Sequence, residues 1–172
     1  MSAPESLQDV YTDELKDLWS ANDQMTKAIR TLSGKVHDQK LKELFEGSFA
    51  GIEKHTATIK SLIEAAGGEV EPEHCKGMEG LVKEALKHGT QEAPEDGDLL
   101  DLVLIAQYQR MSHYGVTGFG TAAAYAGALG LKDHATQLKS IVSEIYQADE
   151  VTSRQGERLA KLTAKHEKAS AG

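Results

Sequence analysis

The segment Leu104–Leu129 constrains the fold of this chain most, because it combines helical periodicity with many small residues. One set of residues recurs at intervals of three and four, which places it on one face of a helix. The same segment carries four glycines, although a glycine inside a helix costs about 1 kcal/mol relative to alanine. Either a neighbouring backbone approaches closely here, or small residues stand where larger groups once stood. The recurring residues are Leu104, Tyr108, Met111, Gly115, Phe119, Ala122 and Ala126.

Composition excludes several classes of protein. The chain has 172 residues and a formal net charge of −8, without a long basic run, so we expect neither a nucleic-acid nor a membrane partner. We expect a cytoplasmic protein, because we find neither a signal-peptide pattern nor an apolar run of about 18 residues. Cys75 is the only cysteine. The three prolines lie outside the periodic stretches, which favours an all-α fold.

The periodicity predicts one domain over residues 1–172, with an ordered core at about 6–165 and frayed ends. Ser6 is expected to cap the first helix, Ser33 and Gly34 to end it with a left-handed residue, and Asp96 or Asp98 to cap the third. The connection over 69–98 carries a short fifth helix, and its length allows the second and third long helices to run parallel. The four long helices are predicted over about 6–32, 38–66, 96–129 and 133–165.

Polar and small residues interrupt the apolar faces of the first three long helices. Asn22 lies in the middle of the first apolar face, which predicts a buried amide. Ser48, Gly51 and His55 share the inner face of the second helix. Ser112 and Gly115 interrupt the third helix in a similar way.

Four long helices with a long second connection describe the ferritin-like architecture. Four stretches also resemble the YciE/YciF-like ferritin-like proteins, a bacterial group associated with stress responses, over about residues 7–160. They are ELKDLWSANDQMTKAI, CKGMEGLVKEA, LIAQYQRMSHYG and SEIYQAD. The resemblance implies a homodimer and a carboxylate-bridged di-iron centre at the middle of the bundle.

The chain departs from this family pattern at the positions of most metal ligands. Where the resemblance implies glutamate or histidine, the sequence has amide, hydroxyl or glycine residues. We call these five residues the small-residue layer. They are Asn22, Ser48, Gly51, Ser112 and Gly115.

Only Glu144 and Asp149 remain from the pattern in the fourth helix. Two hard cations about 4 Å apart need several anionic oxygens, which one inward glutamate does not supply. We therefore expect no cofactor, and we lean against an enzyme. The two acids are five residues apart and do not share a helical face, which disfavours a general acid–base pair.

Three functions remain open. The first is a non-catalytic binding or structural protein in which the layer has collapsed, with helices two and three packed closely through Gly51 and Gly115. The second is a reduced site for iron or another divalent metal at His55 and Glu144, supporting oxygen or peroxide chemistry. The third is a small-molecule carrier that uses the layer as its pocket, with walls from Tyr108, Met111, Phe119 and Trp19.

Three further side chains have alternative interpretations. Without a metal, His55 is expected to be buried and hydrogen-bonded to Asn22, Ser112 or Tyr108. His113 is expected to face a neighbouring helix or a subunit interface. Cys75 is interpreted as a small buried apolar residue, with a redox thiol as the alternative.

Overall fold

The computed structural model describes residues 3–170, and all the regular structure in that range is helical. A single turn of π-helix, Lys87–Gln91, follows the short third helix. The elements in order are α1 (Leu7–Ser33), α2 (Gln39–Ala65), α3 (Lys76–Leu86), α4 (Gly97–Ala128) and α5 (Lys132–Ser170). The all-α prediction and the short helix in the long connection are therefore confirmed.

Side-chain caps fix where the long helices begin. The Ser6 hydroxyl accepts a hydrogen bond from the Asp9 amide at 3.1 Å, as predicted. Asp96, rather than Asp98, caps α4, since its carboxylate accepts from the amides of residues 98 and 99. The left-handed stop predicted at Gly34 is wrong, because its φ is −68°. Gly67, with φ of 77°, provides the left-handed residue after α2.

Contacts along the bundle show that α2 and α4 run parallel. The His37 amide, just before α2, donates to Asp101 near the start of α4. Farther along, the Phe45 and Tyr108 rings stack with centroids 4.8 Å apart. The residue numbers of these contacts increase in the same direction along both helices. This confirms the parallel arrangement of α2 and α4 that the long connection allows.

Two apolar cores fill the bundle, and the small-residue layer lies where they meet. The first surrounds the N-terminal halves of α2 and α4 and includes α3. The second surrounds the C-terminal halves of α2 and α4 and the start of α5. The helical pattern of α5 predicts Leu162 on the inner face, but it is 41% exposed, whereas the nearby Leu159 and Thr163 are buried and face the core instead. Among residues 3–170, no helix is long and apolar enough to cross a membrane.

Candidate functional site

A cavity of about 200 Å³ occupies the middle of the bundle. All five residues of the small-residue layer line it, so the interruptions in α1, α2 and α4 meet in one place, and α5 closes the remaining side. Gly47 of α2 and Ala148 of α5 also line the cavity and are exposed. The opening therefore lies between α2 and α5. We call this space the mid-bundle cavity.

The cavity stays open because no neighbouring side chain fills the space beside Gly51 and the contact beside Gly115 is of ordinary van der Waals length. A Cβ atom on Gly51 would meet nothing within 4 Å, and one on Gly115 would meet the Ile145 side chain at 3.4 Å. The predicted close packing through Gly51 and Gly115 is therefore wrong. Close approach occurs one turn away at Gly118, where a Cβ atom would lie 2.5 Å from Leu18.

Apolar side chains form most of the cavity wall. Met25, Met78 and Met111 all line it, and each is buried. Tyr108 and Phe119 contribute aromatic faces, as predicted for a pocket. Trp19 does not line the mid-bundle cavity. Its ring packs against the second apolar core instead, where the ammonium group of Lys60 in α2 lies 4.2 Å from the ring centroid.

Asn22 is a buried amide, as predicted, with 7% of its surface exposed. Its Nδ2 atom donates to Oγ1 of Thr56 at 3.1 Å. The Thr56 hydroxyl itself donates to the carbonyl of Ile52 at 2.9 Å. A hydroxyl has one proton, so Thr56 can only accept from Asn22, and this fixes which way the amide is turned.

The His55 ring contacts Glu144 rather than the partners we predicted. Nε2 of His55 lies 3.0 Å from Oε2 of Glu144, and the ring meets Phe119 edge-on. The predicted hydrogen bond to Asn22, Ser112 or Tyr108 is therefore wrong. Lys54 also donates to the Glu144 carboxylate, at 3.1 Å. The hydrogen bond from His55, followed by that from Lys54, holds the pKa of Glu144 below its usual value.

Comparison with known proteins assigns the family. Residues 6–165 match the family described as a domain of unknown function, DUF892. The chain belongs to the DUF892 family. It is 29% identical over 140 residues to Protein YciF of Escherichia coli (strain K12), covering 81% of this chain and 83% of YciF. The YciE/YciF-like resemblance seen in the sequence is confirmed.

Solved structures of similar proteins show the same bundle. The crystal structure of the E. coli stress protein YciF superimposes with a TM-score of 0.86 at 26% identity, covering 92% of this chain and 99% of YciF. A ferritin-like, diiron-carboxylate protein from Bacillus anthracis str. Ames superimposes with a TM-score of 0.66 at 14% identity, covering 90% and 99%. The ferritin-like architecture is therefore confirmed for this DUF892 protein.

The side chains around the cavity of this DUF892 protein do not fit a carboxylate-bridged metal pair. Glu144 is the one carboxylate on the wall, and His55 is the one imidazole. Asp149 points elsewhere, with its carboxylate bound to Gln109 and His113. Within residues 3–170, no group of three or more His, Cys, Asp or Glu side chains is arranged to hold a metal ion.

The contacts of Asp149 also settle two of the sequence expectations. His113 faces the neighbouring helix α5, since its Nε2 atom lies 3.1 Å from Asp149. Glu144 instead faces α2, so the two acids point to different helices, as their five-residue spacing predicted. They do not form an acid–base pair.

Cys75 is a small buried residue in this fold, as predicted. It is fully buried at the start of α3, where its sulfur accepts from the Met78 amide and donates to the Tyr114 hydroxyl. Burial is the main reason that the pKa of the Cys75 thiol is raised. Tyr114 donates in turn to Asp17 of α1 at 2.8 Å. This link through Tyr114 was missed by sequence reasoning, because nothing in the helical period indicates which side chains meet across helices.

Proposed function

We propose that this chain is a stress-associated YciF-like protein that has lost the di-iron centre and binds a small, mainly apolar molecule without catalysis. The observation that carries the proposal is the mid-bundle cavity, whose wall includes the whole small-residue layer. The stress association comes from YciF, which is described as a stress protein. The binding role comes from the shape and chemistry of the cavity.

The size of the cavity supports a ligand. An engineered apolar cavity of about 150 Å³ takes up benzene or xenon, and the mid-bundle cavity is about 200 Å³. The cavity opens to solvent between α2 and α5, so without a ligand its mainly apolar wall is in contact with water. A bound apolar molecule removes that surface from water, so the folded protein has a physical reason to accept one.

Methionine methyl groups provide the test. Protein labelled with carbon-13 at the methionine methyls is titrated with toluene, and the NMR shifts of Met25, Met78 and Met111 are followed. We expect saturable shifts at these three residues in the native protein. Gly51→Leu, which fills the cavity mouth, is expected to abolish them.

Gly80→Leu is the matched control, because Gly80 is exposed on α3 and a Cβ atom there meets nothing within 4 Å. This variant is expected to bind toluene as the native protein does. Absence of saturable shifts in the native protein contradicts the proposal. Equal binding by the Gly51 and Gly80 variants contradicts the assigned site.

One contact favours a second function, a reduced metal site with oxygen or peroxide chemistry. His55 and Glu144 bring two metal-ligand types together at the cavity rim. The Lys54 ammonium on the same carboxylate opposes a cation there. Metal analysis of protein purified without chelator separates the two functions. Metal well below one ion per chain rules out this site, whereas one ion per chain that disappears in His55→Ala supports it.

We also propose a cytoplasmic homodimer, as the family resemblance implies. Light scattering on the purified chain measures the solution mass directly. A mass twice that of one chain supports the dimer, and a mass of 18.6 kDa contradicts it.

A further inference from the structure

The polar atoms of the mid-bundle cavity are predominantly hydrogen-bond acceptors. Asn22 provides the first one. Because its Nδ2 atom must donate to Thr56, its Oδ1 atom is the acceptor of the amide that remains available. Among the described residues, that oxygen has no hydrogen-bond partner, although Asn22 is more than nine-tenths buried and lines the cavity.

Two serines add further acceptors. The Ser48 hydroxyl donates to the carbonyl of Phe45 at 2.6 Å, and the Ser112 hydroxyl donates to the carbonyl of Tyr108 at 3.0 Å. Each proton is therefore used within its own helix, and each oxygen keeps its lone pairs for another partner. No fully buried side-chain N or O atom of the described residues lacks a partner, so the unpaired Asn22 oxygen is accessible from the cavity, and the serine oxygens can accept a further hydrogen bond.

Few donors on the cavity wall remain available to these acceptors, because the hydroxyl protons of Ser48, Ser112 and Tyr114 are already used. Tyr108 also lines the cavity, and its hydroxyl is one donor on this wall. The second Asn22 amide proton is a further donor, but it cannot reach its own oxygen. A ligand hydroxyl fits this edge of Asn22, because it donates to Oδ1 and accepts from the amide proton.

The apolar wall favours a flat ring. The chain has three methionines besides Met1, and all three line this cavity: Met25, Met78 and Met111. Thioether sulfurs make favourable contacts with aromatic rings, and their flexible side chains adapt to a planar guest. The rings of Phe119 and Tyr108 add aromatic surfaces to the same wall.

The charges at the cavity favour a neutral ligand. No Lys or Arg side chain of the described residues lines it. Glu144 is the one acidic group on the wall, and His55 and Lys54 already bind its carboxylate at the rim. An anion would therefore enter without a free cation to pair with, which is costly in a largely apolar site.

We propose that the mid-bundle cavity binds a small neutral aromatic alcohol of the phenol class. The ring packs among the three methionines, and the hydroxyl donates to Oδ1 of Asn22 with Ser112 as the neighbouring acceptor. This inference rests on the proposed binding function, and it adds the chemical class of the ligand.

The test compares phenol with toluene, two molecules of nearly the same shape that differ in one hydroxyl. Dissociation constants for both are measured from the methionine methyl shifts. A net hydrogen bond corresponds to roughly a 2- to 10-fold change in affinity. We expect phenol to bind the native protein tighter than toluene by about that factor, and cyclohexanol to bind more weakly than phenol.

Two variants assign the preference to named atoms. Asn22→Leu keeps the shape of the side chain and is expected to remove the preference for phenol, while Ser112→Ala is expected to reduce it. Thr163→Val is the matched control, since Thr163 is 8% exposed like Ser112 and also donates to the carbonyl four residues earlier, outside the cavity. It is expected to leave the preference unchanged.

The possible failures are distinguishable. If toluene binds in the cavity but phenol is no tighter, or if Asn22→Leu keeps the preference, the ligand class is overturned and the binding function stands. If cyclohexanol matches phenol, the aromatic part of the proposal is overturned. If none of the probes shifts the methionine methyls, water alone satisfies the acceptors, and both proposals fail.

Discussion

Nε2 of His55 lies 3.0 Å from Oε2 of Glu144, and this contact joins α2 to α5 at the rim of the mid-bundle cavity. Lys54 binds the same carboxylate from the outer side. Just beyond this pair, Gly51 leaves open space between the two helices. Polar and charged side chains therefore join α2 to α5 at this one level, whereas small residues leave space between the same two helices one turn away.

The Glu144 carboxylate is expected to stabilise the fold in a pH-dependent way. Its folded pKa is lowered by His55 and then Lys54, so its contribution to the free energy of unfolding is present above its unfolded pKa of about 4.5 and lost as pH falls through the lower folded value. The side chain is 38% exposed, which limits the effect to below about 1 kcal/mol. Glu144→Gln should therefore lower unfolding stability in urea at about pH 7 and have a smaller effect at about pH 4.

Glu157→Gln, an exposed position on the same helix, is the control for the loss of one negative charge. It is expected to change stability little at either pH. If Glu144→Gln has the same effect at both pH values, the ion pair does not carry the stabilisation.

The glycines of α4 are expected to differ sharply in their tolerance of a methyl group. A Cβ atom on Gly118 would lie 2.5 Å from the buried Leu18 side chain, whereas one on Gly120 would meet nothing within 4 Å. Gly120→Ala should raise stability by up to about 1 kcal/mol through helix propensity. Gly118→Ala should be about 1 to 3 kcal/mol less stable than Gly120→Ala, because Leu18 must shift in a packed core.

Thermal or urea unfolding of these two variants measures the difference directly. Equal stabilities would contradict the close approach of α1 and α4 at Gly118. They would also mean that close helix packing does not explain why α4 contains a glycine at position 118.

Much of the fold was predictable because helix caps and periodicity are local features. Ser6 caps α1 as the pattern predicted, and Asp96 was one of two expected caps for α4. The second helix begins close to the predicted residue 38, where Asp38 is its cap. The burial of Asn22 followed from its position in an apolar face. The register between helices was harder, since it depends on side chains distant in sequence.

The candidate site shows where local reasoning stopped. The sequence predicted which small residues share a layer, but it favoured a collapsed layer over an open one. Whether Gly51 and Gly115 approach each other depends on how far apart the two apolar cores hold α2 and α4. The His55 partner depends on the position of α5, since Glu144 lies 89 residues away along the chain. Helical periodicity indicates neither the separation of α2 and α4 nor the position of α5.

Asp101 is expected to be essential for the turn between α1 and α2. This fully buried carboxylate of α4 accepts hydrogen bonds from the amides of His37 at 2.9 Å and Asp38 at 2.6 Å. Asp101→Ala leaves both amides without that acceptor and should cost about 2 kcal/mol in urea unfolding. Asp98→Ala, at a half-exposed position of the same helix that pairs only with the exposed His166, should cost less than about 1 kcal/mol. Equal losses would contradict this role for Asp101.

The Cys75 thiol is expected to react slowly in the folded protein. It is fully buried, and its pKa is raised mainly by burial, so little thiolate is present or accessible. Labelling with a thiol reagent at about pH 8 should be at least about 100-fold slower than for Val70→Cys, an exposed loop position, in a Cys75→Ala background. Urea should remove the difference. Rapid labelling of native Cys75 would instead support a redox role.

A crystal structure of the chain under xenon pressure, recorded with anomalous signals for xenon and for iron, tests the central claim most directly. We predict a xenon atom in the mid-bundle cavity, beside Met111 and between Asn22 and Gly115, with no iron signal there. A pair of iron peaks bridged by protein oxygens, or a closed layer with Gly51 packed on Gly115, would contradict it.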